Sequence, residues 1–539
     1  MATERVRKNF WGWGWEERFP DEATRRSIGQ LAAAFIGGAD LRMQEPPALD
    51  EVELAPPRVA PPAALADRFS ARPYDRACHC YGRNYRDVWR GFHRDFRAAP
   101  DWVVTPRDEA DIAAVLDWAA DARVAVIPYG GGTSVVGGIE AAVGDGYAAA
   151  VSLDVGRLDR VLEVDAASRA ARIQAGASGP VLERQLAERG MTLRFFPQSF
   201  ELSTLGGWIA TRAGGHFATQ HTHIDDLVES VRMITPRGTW HSRRLPASGA
   251  GPNPDRLALG SEGTLGVITE AWVRVRPRPR WRSKATVTFE RFADAAAAAR
   301  AITQAELFPA NCRVLDGREA ALNRIPTGGR ALLLLAFESA DHPVDDAMAR
   351  ALELGRSAGG RCEDGPVSAA GGDRVDASAG AAWRRAFVDM PYLINVLVSV
   401  GLIGDTFETA CTWDRFDALC DGVIKELRDA LHRVCGGGVV TCRITHVYPD
   451  GAAPYFTFVA PGRAGAEADQ WWDLRAAAAE AVLRHGGTIT HHHAVGRLHR
   501  PWYDRERPEP FGLALRAAKR AVDPAGVLNP GVLVDPQAE

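Results

Sequence analysis

The chain has 539 residues, of which 46% are apolar and 24% charged, with 64 Lys and Arg against 68 Asp and Glu. That length exceeds what one core usually holds and predicts two or three domains. The formal charge of -4 supplies no basic field for nucleic acid, and no apolar run is long enough to span a bilayer. The N-terminal stretch is charged and lacks a continuous apolar core, so it is not read as a secretory signal. Cys78-His79-Cys80 is too tight for zinc spacing and has no second pair. The cysteines therefore read as thiols in a reducing cytoplasm, and no metal site is expected.

Residues 1–94 read as an arm carrying Trp11, Trp13 and Trp15, followed by a proline-rich linker. The tryptophans are expected to bury for their area. Strand–helix alternation begins near residue 95. Ile112, Val115, Leu116 and Ala119 keep helical spacing after Asp108, and an apolar strand, 124–127, runs into PYGGGTSVVGG at 128–138. Three successive glycines let the backbone turn sharply and approach a bulky partner. Alone, the run reads equally well as a surface loop or an anion cradle. Two further glycine turns with neighbouring hydroxyls, at 199–215 and 261–266, favour a wall of backbone donors around one large phosphorylated ligand.

After Pro277 and Pro279 the pattern changes to a second α+β region. Strands are predicted at 284–289, 312–315 and 332–337, with helices at 292–302 and 345–354 and a mobile loop at 359–380. An amphipathic helix from Asp414 stops at Gly436. Paired strands are expected at 439–445 and 455–459, then a last helix at 466–484. Gly486 and Gly487 lead to His491, His492 and His493. As a strand, 488–493 would put His491 and His493 on one face and His492 on the other, which splits them for metal binding. They suit acid–base work or a hydrogen-bonded seam. Tyr455 reads as an acid or as a packed aromatic.

Four segments resemble the FAD-contacting segments of the vanillyl-alcohol oxidase flavoprotein superfamily. They hold Pro128, Tyr129, Gly130, Gly131, Gly132, Thr133 and Ser134; Gln198, Ser199, Ser203, Thr204 and Gly207; Thr211, Arg212, Ala213 and Gly214; and Glu262, Gly263, Thr264, Gly266, Val267 and Ile268. Together with TFETACTWDRF (406–416), THVYPDGAAPYFTF and THHHAVG, they are similar to the alkyldihydroxyacetonephosphate synthase family, over about residues 69–534. The resemblance implies an α+β fold with a two-subdomain, PCMH-type FAD-binding domain at 95–280 and an inserted α+β cap at 281–460. A segment at 461–539 is implied to return to a non-covalently held FAD, with His79 the one place to look for a covalent link. The implied reaction exchanges the acyl group of acyl-dihydroxyacetone phosphate for a fatty alcohol through a flavin N5 adduct. Tyr455 matches the family's catalytic phenol, His492 and His493 its histidine pair, and Thr204 a flavin-side hydroxyl. A lipid substrate is implied, and peripheral membrane contact and pairing of two copies stay open.

One departure stands out. The family's catalytic arginine falls at Ile394 here, thirteen residues before Phe407, with Arg384 or Arg385 as conceivable substitutes. Gln198 stands where the family has an aspartate, and Ala494 where it has a glycine. An FAD-dependent oxidase or dehydrogenase of a 2-hydroxy acid or alcohol is the alternative. Such enzymes usually carry Glu-His-Gly where this chain has His492-His493-Ala494.

Overall fold

The structure, a computed structural model, describes residues 7–370 and 379–535, and the side chains of the helix Ala379–Ser399 from residue 389 onward. In the first sheet, Trp102–Val104 and Val124–Tyr129 run parallel to Ala149–Asp154 on either side, and Phe69–Ser70 adds an antiparallel edge. Parallel strands bury both faces and so read as unbroken apolar runs, which explains Val124, Ala125, Val126 and Ile127. Helix Glu109–Ala122 packs on this sheet through Ile112, Val115, Leu116 and Ala119. Asp108 caps it by accepting from the Asp111 N–H, satisfying one of the orphan donors at a helix start.

The second sheet is antiparallel, in the order Val161–Asp165, Ala170–Gln174, Val267–Arg274, Val228–Thr235, Gly238–His241. Helices Gly179–Ala187 and Leu205–Thr211 close a core around Leu182, Phe195 and Trp208.

The third sheet has eight strands. Its sequence across the sheet is Val367–Ala370, Trp281–Phe289, Ala331–Ser339, Asn311–Leu315, Val439–Val447, Gly451–Pro461 and Leu402–Glu408, with Cys411–Thr412 also on Gly451–Pro461. Helices Phe292–Gln304, Asp345–Ser357 and Trp413–Cys435 share its core. The last of these ends at Gly436, whose φ of 74° is open to glycine without a Cβ clash.

Both ends of the chain return to the middle. The Val126 N–H donates to the Val527 carbonyl, and the Asn529 N–H to the Val126 carbonyl. Trp11 and Trp13 are buried, as expected, Trp11 edge-on to Phe19 and Phe92. Asn395 fastens this arm: the Trp13 N–H donates to its Oδ1 at 2.8 Å and its Nδ2 donates to the Trp13 carbonyl at 2.9 Å.

Three expectations are corrected. Part of the loop expected at 359–380 is the edge strand Val367–Ala370, paired with residues 281–284; residues 371–378 lie outside those described. The helix Glu467–Arg484 is followed by two more, Arg500–Glu506 and Glu509–Val522. Residues 488–493 form bends instead of a strand, because the carboxylates of Glu408 and Glu506 collect their N–H groups.

Asn395→Ala removes two buried hydrogen bonds and leaves both Trp13 backbone groups unpaired. It is expected to cost about 2–4 kcal/mol, read as a lower urea midpoint at unchanged slope.

Candidate functional site

A long cavity lies between the glycine turns and the third sheet, enclosing about 2110 Å³ counting its open mouth. Of the expected cofactor residues, all line it except two. Arg212 turns its side chain outward to Asp225, at 2.8 Å. Thr264 is fully buried and donates its hydroxyl to the Ser261 carbonyl. The glycines are required by space. A Cβ on Gly131 would lie 2.1 Å from the Leu202 carbonyl oxygen, and one on Gly132, at φ +77°, 2.1 Å from the Tyr129 hydroxyl. Thr204 starts the helix Leu205–Thr211 by accepting from the Gly207 N–H. Such a wall of small residues, hydroxyls and backbone donors fits the pyrophosphate of a dinucleotide, and FAD is the cofactor of this chain. His79 does not line the cavity: Nδ1 bonds the Asp75 carbonyl and Nε2 the Asp154 carboxylate at 3.2 Å. A covalent flavin link there would cost one of those bonds.

The far end is built by strand register. Glu408 pairs with Tyr455, and Tyr455 with Arg443, across three adjacent strands, so the three side chains share one face of the sheet. The Tyr455 hydroxyl donates to Thr406 Oγ1 at 2.8 Å, and the Arg443 guanidinium stacks 3.8 Å over its ring. Burial raises the Tyr455 pKa, against the pull of Arg443 and Thr406. Arg443 pairs with the buried Glu319 at 2.5 Å. Arg313 lies beside them, fully buried, its pKa lowered to about 9 by burial and then by Arg443. The two guanidiniums stand here among three carboxylates: Glu319, paired to Arg443, the buried Glu408, and Asp405, which also lines the cavity. Ile394 also lines the cavity, packed against Trp13, Leu202 and Tyr392. The side chains of Arg384 and Arg385 lie outside the described residues.

The histidine loop is held by two carboxylates. Glu408, wholly buried, accepts from the Thr490 hydroxyl at 2.7 Å and from the N–H groups of His491, His492 and His493 at 2.5, 3.1 and 2.9 Å. Burial pushes its pKa up, but the His493 and His491 imidazoles and these donors outweigh that and hold it at about 2. From the flavin side, Glu262 accepts from the Val495 and Gly496 N–H groups at 3.0 and 2.8 Å. His492 and His493 line the cavity and His491 does not. The ring nitrogens of His446, His491 and His492 lie within 4.8 Å of one another, but protein hydrogen bonds engage them: His446 Nε2 donates to the Gly215 carbonyl, and His491 bonds His492 and His223.

Sequence reading missed Glu408, Arg443 and Arg313. The available signal was a charge at a position of the buried face in otherwise apolar strands, LIGDTFE, VVTCRITHV and NCRVL, where burial demands a partner.

Two family models match the chain: the FAD binding domain over residues 100–243 and the C-terminal domain of FAD linked oxidases over 278–533. Alkyldihydroxyacetonephosphate synthase of Dictyostelium discoideum is 29% identical over 91% of this chain and 84% of that protein. Glycolate oxidase subunit GlcD of Bacillus subtilis (strain 168) is 25% identical over 81% of this chain and 89% of its own. A solved structure of alkyldihydroxyacetonephosphate synthase superposes with a TM-score of 0.79 at 25% identity, covering 97% of this chain and 98% of that one.

Gly131→Ala is expected to fold and to purify without most of its FAD, since the added carbon meets backbone; the flavin absorbance per protein checks it. A second expectation concerns pH. Burial, then the His492 imidazole and the Arg313 guanidinium, push the His446 pKa well below its ordinary 6.5. The fold therefore refuses a proton that the unfolded chain accepts below 6.5, and the stability His446 contributes is full above that pH and lost beneath it. The deficit of His446→Asn should shrink by about 1.4 kcal/mol per pH unit below 6.5, measured by urea unfolding of both proteins.

Proposed function

Because the chain belongs to the flavoproteins that join an FAD binding domain to an FAD linked oxidase C-terminal domain, and is like the alkyldihydroxyacetonephosphate synthases among them, we propose that it exchanges the acyl group of acyl-dihydroxyacetone phosphate for a fatty alcohol. The observation that carries this reading is the pairing of an end that carries two guanidiniums with an apolar wall. Arg443 is paired to Glu319 with Arg313 beside it, and Leu393, Ile394, Leu397, Phe458 and Val459 line the same cavity. An amphiphile with an anionic headgroup and a long chain matches both. A small hydroxy acid has no use for the wall.

Bound FAD supplies an isoalloxazine that exchanges electron density with the substrate carbon. The glycine turns and Thr204 would hold its phosphates. Arg443 and Arg313 take the substrate's anionic group, a task suited to guanidinium because it is permanently charged and presents fixed donors. Tyr455, protonated and polarised by Arg443, donates to the oxygen that gains charge as the carboxylate departs. His492 is neutral, its pKa pushed well down by burial and then by His493, and it accepts the substrate's proton. Ile394 keeps the chain-binding wall apolar where an arginine would break it. Loading such a lipid calls for peripheral contact with a bilayer; no helix among the described residues is long and apolar enough to cross one.

The test is an anaerobic incubation with acyl-dihydroxyacetone phosphate and a radiolabelled fatty alcohol. Fatty acid and labelled ether are expected in equal amounts, with the flavin oxidised at the end. Flavin bleached by a 2-hydroxy acid and recovered with oxygen, without fatty-acid release, would reject the exchange. In the same assay Tyr455→Phe should lose about a hundredfold or more in kcat with FAD retained.

A further inference from the structure

Three imidazoles form an unbroken chain from the cavity to the protein's rim. His492 Nδ1 lies 3.0 Å from His491 Nδ1, His491 Nε2 lies 3.1 Å from His223 Nε2, and His223 Nδ1 lies 2.9 Å from the Arg212 carbonyl oxygen. The chemistry of the last acceptor fixes every proton. A carbonyl can only accept, so His223 carries its proton on Nδ1 and, when neutral, offers Nε2 as an acceptor. His491 must then be protonated on Nε2. The Tyr448 hydroxyl, 2.7 Å from that nitrogen, accepts from it as well and donates to Thr222 Oγ1 at 3.1 Å. His491 Nδ1 is left bare, so His492 donates from Nδ1. The nitrogen that remains for the cavity is the bare Nε2 of His492. Burial lowers the pKa of all three rings, which keeps them neutral and the order intact.

We propose that His492, His491 and His223 form a proton relay between the reaction cavity and solvent, in which His491 and His223 act as positioning and relay residues behind His492. The proposal rests on the exchange reading above, and that reaction needs such a route. An ester and an alcohol become an ether, a carboxylate and one proton. The alcohol's oxygen forms the new C–O bond, the carboxylate leaves with the electrons of the old one, and the proton must reach water. Taken up at His492 Nε2, it is passed on as His492 Nδ1–H moves to His491 Nδ1 and His491 Nε2–H moves to His223 Nε2. No electrons are gained or lost, one positive charge moves from cavity to rim, and water at the rim takes the proton from the charged His223.

The surroundings suit each station. Glu408 lies beside His491 and His493 and favours charge on His491, while His446 and His493 oppose it there and His493 and Arg443 oppose it on His492. At the rim, Asp225 and Asp226 favour a charged His223, while Arg212 opposes it. His223 is half-buried and its bond to the Arg212 carbonyl lies at the exposed surface, so the chain ends at the rim.

Two experiments test the relay. In wild-type holoenzyme with 15N-labelled histidine, nitrogen shifts should place protons on His223 Nδ1, His491 Nε2 and His492 Nδ1. Any other tautomer in the chain, or metal-shifted nitrogens, would overturn the proposal, whether or not exchange activity is found. In the exchange assay, His223→Ala and His491→Ala should lose about tenfold or more in kcat at unchanged FAD content and KM, with millimolar imidazole restoring much of it. A kcat within about twofold of wild type, or a loss that imidazole leaves untouched, would contradict a relay. Absence of exchange by the wild type would reject the exchange reading itself, leaving the nitrogen shifts to decide the chain.

Discussion

The arrangement depends on two buried carboxylates that grip one loop from opposite sides. Glu408, from the third sheet, takes the Thr490 hydroxyl and three successive histidine N–H groups; Glu262, from the flavin-side turn, takes the next two usable N–H groups, at Val495 and Gly496. A charge without water is tolerable only when its oxygens are filled, and these loops supply the donors. The consequence is geometric. Residues 488–493 cannot run as a strand, and between the two anchors Ala494 is forced to φ 71°, a conformation glycine would adopt at less cost.

That clamp joins two parts with different physics. The flavin end is made of close packing: Gly131 and Gly132 have no Cβ because the Leu202 carbonyl and the Tyr129 hydroxyl already occupy the space one would need. The opposite end is made of charges held in register. Glu408, Tyr455 and Arg443 sit side by side because antiparallel pairing places them so, and Glu319 stops the two guanidiniums from repelling each other without relief. The Asn395 contact fastens the N-terminal arm, with Trp13, along the cavity's side.

Much of this was legible in the chain. The strand feeding the glycine run, the Asp108 cap and the helix ending at Gly436 each follow from local rules that hold without knowledge of the rest. Tyr455, His492 and His493, which the resemblance matched to family positions, line the cavity. What stayed hidden was non-local. That Arg212 points out to Asp225 and Thr264 lies behind the cavity wall depends on helix and turn packing. Glu408 sat within a segment noticed for its neighbours, yet its partners lie more than eighty residues on. Arg384 and Arg385 neighbour Ile394 in sequence, whereas Arg313 and Arg443 stand in the cavity's charged end from strands far away along the chain.

The most direct test of the account is made on Glu408→Gln, with FAD content and acyl–alkyl exchange measured on the same sample. Gln keeps an acceptor oxygen and the side chain's volume but removes the charge and one acceptor site. The account predicts FAD bound at the wild-type ratio and exchange reduced by about a hundredfold or more, because the loop no longer presents His492 to the substrate. Wild-type exchange in a sample that holds its full complement of FAD would contradict it.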